Sequence, residues 1–392
     1  MSSLDAREAK NRAAVAVDEA RATILGTHRA IHAAAETGLQ EFRSVRLLAD
    51  GIRAATGVTA QVGVGSLPTA LRAEAGNGEL VITLCAEYDA LPEIGHGCGH
   101  NVIAGAALGA FTALVPMVDD LGITVRLLGT PAEENAGGKV TMLDEGAFDG
   151  THAALMVHPA GADTIEMDTF ASALVHVEFV GREAHASASP HLGINALDAL
   201  TIMLTAIGLA RQQFEPLQQV HGVVEHAGTA PNVIPGRAAG RWMARAADTE
   251  ALQRVIDVVR RCAEGGAHAA GAQVEITEAA FRYANLRSDP DLTASYVANL
   301  PGVGRHPGPL WPKAGSTDMG NISHRFPTIH PMIGLAEPSL VLHTSQMAAL
   351  AGAEPGDRAV LDGAYLLAAT AVDAALTPAL RERLITTATR ST

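Results

Sequence analysis

The 392-residue sequence predicts an α/β fold, a doubly wound, mostly parallel sheet domain interrupted by a smaller inserted α+β domain. Three observations carry that reading. Short apolar runs stop abruptly at polar residues, helix-like stretches separate them, and the texture changes to alternating strands near Phe170. A chain of this length, 48% apolar, can bury a large core and suits two domains better than one.

In chain order, residues 5–42 carry Val17, Ile24, Leu25 and Ile31 among Ala, Glu and Arg, the pattern of an amphipathic scaffold helix interrupted near Gly26. The runs ELVITLCAEYDALP, ITVRLLGTPAEE and THAALMVHP read as fully buried parallel strands, with NVIAGAALGAFTALV as an intervening helix. From 170 to 285 the insert follows: strand SALVHVEFVG, helix INALDALTIMLTAIGLARQQF, then strands QVHGVVEHAG and AAGRWMARA. SDPDLTASYVANL resumes helical texture, FPTIHPMIGLA reads as one more buried strand, and a helical terminus begins near Asp357. The expected domains are therefore 1–169 and 286–392 for the parallel-sheet part and 170–285 for the insert.

A net charge of −14 argues against nucleic acid, which needs a clustered basic face. The charged N-terminus lacks the apolar centre of a secretory signal and no stretch approaches eighteen uninterrupted apolar residues, so a cytoplasmic protein without membrane contact is expected. Cys85, Cys98 and Cys262 are an odd number and form no disulfide framework.

In doubly wound folds ligands bind beyond the carboxyl ends of the strands, and here three strand ends deliver polar side chains. Glu87 and Asp89 follow the first run, Glu133 and Glu134 the second, and His158 closes the third. The Gly-rich segment after the first run packs Asp89, His96, Cys98 and His100 into twelve residues, a spacing at which thiolate and imidazole can face one divalent ion. On an extended backbone the adjacent Glu133 and Glu134 would point to opposite sides, so one could bind metal while the other takes a proton. His158 and His343 each end an apolar run, where a lone His is more often a core residue than a ligand.

The strings AEYDALPEIGHGCGHN, GTPAEENAGGK, LMVHP, GREAHASASPHLGINAL, TAPNVIP, GSTDMG and LHTS stand in the order expected of the M-twenty family of metallopeptidases, over residues 80 to 345. Their wording resembles its aminobenzoyl-glutamate hydrolase and β-alanyl-dipeptidase-like branch. The resemblance implies two divalent ions, zinc or manganese with cobalt also compatible, held by Cys98, His100, Glu134, His158 and His343. It makes Glu133 the general base, and Asp89 a residue that orients a ligand by hydrogen bond. His185, rather than nearby His191, would meet the charge on the carbonyl oxygen, acting from the smaller lid or dimerisation domain of a partner subunit, which implies a homodimer. Asn232 and Arg245 match positions that hold the substrate carboxylate; Ser316 and Thr317 lie on a turn beside the substrate. Two departures stand out: Glu87 where many members have His, and Asn101 where a related branch has Asp.

The expected reaction is cleavage of an amide bond in N-acyl amino acids or small dipeptides, the substrate offering an amide next to a carboxylate, by water that two ions activate. Two other readings compete. Cys98 could be the nucleophile of a metal-free hydrolase, or the scaffold could bind a small molecule without turning it over.

Overall fold

The computed structural model describes residues 4–165, 167–308, 314–335 and 338–389. It divides into two compact units. One comprises the chain up to Asp168, Leu286–Ala314 and the chain from Asp318 onward; the other comprises Thr169–Asn285 and Gly315–Thr317.

The first unit is built on a six-stranded sheet, ordered Gln61–Val64, Leu67–Ala75, Ile123–Gly129, Leu80–Ala86, Ala153–Leu155 and Thr328–Ile329. The last four run parallel. The first two form an antiparallel hairpin that extends the sheet through Leu67–Ala75, an element the sequence reading did not separate. Burial explains the parallel centre: Leu80, Ile82 and Leu84, with Val125 and Leu127 beside them, are fully buried.

Helix His100–Leu114 is buried along its whole length. Its small residues allow close approach: a Cβ on Gly109 would lie 2.5 Å from Ala364 Cβ of helix Glu354–Leu376. These two helices are apolar enough by composition to cross a bilayer, yet 89% and 72% of their apolar windows are buried inside the protein. They carry the core of the first unit, which explains their composition.

Two local expectations are corrected. The N-terminal helix breaks at Ala20, between Ala6–Glu19 and Arg21–Ala34, while Gly26 is exposed inside the second helix, where glycine costs about 1 kcal/mol relative to alanine. FPTIHPMIGLA forms two short strands, Thr328–Ile329 and Met332–Gly334, the second pairing in parallel with His158–Ala160. The LVL before His343 lies outside any strand, with Leu340 buried and Val341 65% exposed.

The second unit has an antiparallel sheet ordered Gln273–Tyr283, Ala171–Val180, Arg237–Ala246 and Gln219–His226. Helices Ala196–Ala210 and Thr249–Ala270 close its own core, around Val175, Val177, Phe179, Leu252 and Ile256. Their starts are capped by Asn195 and Asp248, whose side chains accept backbone N–H groups.

Candidate metal centre

The segment after strand Leu80–Ala86 turns on glycines before helix His100–Leu114 begins. Gly99 takes φ 78°, and a Cβ there would press on Pro159 and Met347. That turn sets Cys98 and His100 at the mouth of the sheet. The carbonyl of Gly97 accepts the His343 N–H at 2.7 Å, which draws a residue from far along the chain to the same place. His343 sits at φ 62°, a conformation unusual for a non-glycine residue, in the bend before helix Ser345–Ala351.

Glu133 and Glu134 lie in a tight turn and not on extended backbone, which corrects the reason first given for their dividing two jobs. Ala132 at φ 59° starts the turn and Gly137 at φ 58° ends it. The Glu134 N–H donates to Asp89 Oδ2 at 3.0 Å.

The predicted donor side chains converge in three overlapping groups: Cys98, His100 and His158; Cys98, Glu134 and His343; His100, Glu133 and Glu134. Within each group the donor atoms lie inside 4.8 Å of one another. Cys98 Sγ is 3.5 Å from His158 Nε2, and His343 Nε2 is 3.3 Å from Glu134 Oε1. Asp89 Oδ1 holds His100 Nδ1 at 2.8 Å, which leaves Nε2 buried, 3.4 Å from Glu87 Oε2 and 3.9 Å from Glu134 Oε1, with no hydrogen bond among the described residues. His158 is fixed likewise, its Nδ1 donating to the Pro159 carbonyl at 2.8 Å, with Nε2 toward Cys98. This is the pattern of imidazoles oriented by one nitrogen so that the other binds metal. A thiolate, imidazoles and carboxylates at this spacing suit zinc and tolerate manganese, so the residues present fit a divalent centre.

Electrostatics separates the two glutamates. Burial, reinforced by Glu87, Asp318 and Glu134, pushes Glu133 well above the usual carboxylate range. Burial acts the same way on Glu134, but His343 and His100 outweigh it and lower that carboxyl. Adjacent carboxylates pushed apart in this manner take different roles. At His100 burial opposes the charged form, yet Asp89, Glu87 and Cys98 raise the imidazole well above its ordinary value. Burial raises the Cys98 thiol too. A nucleophilic cysteine is favoured by the opposite shift, so burial counts against a metal-free thiol mechanism.

His96 belongs to the core and not to the cluster. Its Nε2 meets the Ile31 carbonyl at 3.1 Å, it stacks on His32, and burial lowers its pKa to about 3.

Sequence reasoning missed a buried ion cluster that adjoins the centre. Lys139, fully buried, donates to Asp318 Oδ1 at 2.7 Å and to Glu87 Oε1, and its backbone N–H reaches Asp318 Oδ2 at 2.9 Å. Glu87, noted as a strand-end carboxylate and as a departure, is thus paired with a lysine in a Gly-Gly-Lys run that gave no separate signal. His330, buried beside His158 with 5.5 Å between ring centroids, was also passed over.

In the second unit, His185 and Asn232 lie together: His185 bridges to Val233, and the Ala186 N–H donates to the Asn232 carbonyl at 2.9 Å. His185 Nδ1 accepts from the backbone N–H groups of Ser187 and Ala188 at 3.3 and 3.2 Å, which puts the ring proton on Nε2. Arg245 Nη1 donates to Ser316 Oγ at 2.8 Å, while Thr317 is buried.

Residues 83–370 match the family model described as Peptidase family M20/M25/M40. The chain is 35% identical to the Xaa-Arg dipeptidase of Mus musculus, over 95% of this chain and 90% of that protein. It is 37% identical to one of the p-aminobenzoyl-glutamate hydrolase chains of Escherichia coli K12, over 59% of this chain and 52% of that one. Among solved structures, a putative aminohydrolase from methicillin-resistant Staphylococcus aureus shares the fold with a TM-score of 0.76 at 18% identity, covering 93% of this chain and 99% of that one. A Bacillus subtilis structure described as a dinuclear metal binding peptidase from the same family gives 0.63 at 22% identity, covering 88% and 98%. The family match and the full-length similarity to a dipeptidase place this chain, an enzyme, in peptidase family M20/M25/M40.

Proposed function

We propose that the protein is a metal-dependent hydrolase that cleaves the amide bond of small dipeptides or N-acyl amino acids. Dipeptides stand first, because the relative that matches over nearly the full length of both chains is a dipeptidase. The observation that carries the reading is the overlap of the three donor groups at Cys98, His100, Glu133, Glu134, His158 and His343.

Two ions per subunit, zinc or manganese, would be held by Cys98, His100 and His158 and by Cys98, Glu134 and His343. Bound there, they would supply Lewis acidity to acidify water and polarise the scissile carbonyl. Glu133 would take the proton of the attacking water and return it to the departing amine; burial and the neighbouring carboxylates raise its carboxyl, which strengthens it as a proton acceptor. Asp89 keeps His100 in the tautomer whose Nε2 faces the centre. His185 of the partner subunit, with its proton on Nε2, would donate to the carbonyl oxygen as negative charge develops, and Asn232, Arg245, Ser316 and Thr317 would hold the substrate carboxylate side.

The reading includes a homodimer in the cytoplasm, with no nucleic acid or membrane as partner. The strand Gln219–His226 is an edge strand whose Val223 and Val224 are 58% and 45% exposed, and Leu209 on helix Ala196–Ala210 is 71% exposed. An uncovered apolar edge of this kind favours pairing with a second copy.

The test is hydrolysis of a panel by protein stripped of metal and reloaded with Mn²⁺ or Zn²⁺. The panel holds dipeptides ending in Arg or Lys, aminobenzoyl-glutamate and N-acetyl amino acids. Activity that depends on metal and is confined to substrates with a free carboxylate supports the reading; activity that survives stripping removes it.

A further inference from the structure

The turn that presents Glu133 and Glu134 is strained, and strain persists only where the surroundings over-determine it. Ala132 adopts the left-handed conformation at φ 59° while fully buried, so its N–H needs an acceptor inside the protein. Glu41 supplies it: Oε1 accepts the Ala132 N–H at 2.8 Å.

Glu41 comes from the connection between helices Arg21–Ala34 and Phe42–Thr56, a region the sequence marks only as scaffold. It stands at the N-cap position of the second helix, yet its side chain does not cap that helix. Glu36 does so instead, accepting the N–H groups of Arg43 and Ser44 at 3.0 and 2.7 Å. Glu41, fully buried, is thereby released to reach a different part of the fold.

The same connection grips the site at two further points. The Ala90 N–H, next to Asp89, donates to the Glu36 carbonyl at 2.8 Å. Gly38 lies so close to the turn that a Cβ there would sit 3.0 Å from Ala132 Cα and collide with the Asn135 side chain.

We propose that Glu41 is a positioning residue for the reaction: its carboxylate locks Ala132 and so fixes the directions in which Glu133 and Glu134 leave the turn. Glu41 is not one of the grouped donor residues; it acts through the Ala132 backbone. The inference rests on reading Glu133 as the base and Glu134 as a metal donor.

The experiment compares Glu41→Gln, Glu41→Leu and Glu41→Asp in the full-length, metal-reloaded protein. It reads kcat, KM, Mn²⁺ affinity by chelator competition, and hydrogen exchange of the peptide spanning 130–137. Gln retains an acceptor oxygen, so its kcat is expected within about 3-fold of wild type. Leu removes the acceptor; a displacement of about 1 Å at reacting groups costs on the order of 10²-fold in rate. Its kcat is expected to fall by about that factor with KM little changed, Mn²⁺ affinity to weaken by about 10-fold or more, and the turn to exchange faster. Asp withdraws the acceptor by one methylene while staying polar and is expected to follow Leu, which keeps the test open if Leu fails to fold.

Wild-type kcat and exchange in both Leu and Asp would overturn the proposal, as would Gln being damaged as badly as Leu. Faster exchange with unchanged kcat, in a protein whose Glu133→Gln variant is fully active, would count against the base assignment and leave the Glu41 lock in place.

Discussion

Replacing Lys139 with methionine removes the cation that the Glu87 and Asp318 carboxylates share, at a point where all three side chains are at most 1% exposed. Met fills nearly the same volume, so the effect is electrostatic. Breaking a buried pair by deleting one partner costs about 3–5 kcal/mol, because the remaining charge stays desolvated. At about 2 °C per kcal/mol for a unit of this size, the melting temperature falls by roughly 6–10 °C. The pH dependence follows from Asp318, whose carboxyl burial and Glu87 already hold above the ordinary range. Losing Lys139 raises it further. A group with a raised folded pKa has its favourable contribution below the unfolded value and loses it as pH rises. The deficit of Lys139→Met against wild type is therefore small near pH 4 and grows toward neutrality. Calorimetry of the metal-free proteins across pH 4–8 measures it, with Lys139→Met/Glu87→Gln/Asp318→Asn expected to recover most of the loss. A variant that melts like wild type, or a deficit that does not shrink in acid, refutes the reasoning.

Metal affinity should rise with pH, since donor groups held protonated must release protons to bind. His100 is raised by Asp89, Glu87 and Cys98 against burial, and Cys98 is raised by burial, so both contribute in that direction. Calorimetric titration in buffers of different ionisation heat measures the protons released; pH-independent affinity would contradict it. Arg245→Ala should raise KM for carboxylate-bearing substrates by about 10- to 100-fold and leave bound metal unchanged, consistent with losing a charge-assisted pair. Equal turnover of a decarboxylated analogue by wild type would remove that role.

The parallel sheet was legible because burial on both faces writes itself as uninterrupted apolar runs, as in Leu80–Ala86 and Ile123–Gly129. The candidate site was legible where residues were local: Asp89, Cys98 and His100 fall within twelve residues, and Glu133 and Glu134 are neighbours. Residues acting over a distance were not. Lys139 pairs with Asp318 across 179 positions, and Glu41 reaches Ala132 across 91, and no periodicity or spacing records such pairings. The break at Ala20 was misplaced because an exposed glycine is tolerated within a helix that packing holds on its other face.

The most direct test of the central claim is the metal content and turnover of Glu133→Gln beside wild type, on whichever dipeptide or acyl amino acid wild type cleaves best. The account predicts that the variant folds, binds its ions with affinity close to wild type, and loses about 10²–10⁴-fold in kcat with KM nearly unchanged, the span expected for a missing general base. A variant that keeps wild-type kcat with its ions in place would contradict the account, and would mean that Glu133 is not the group that moves the proton.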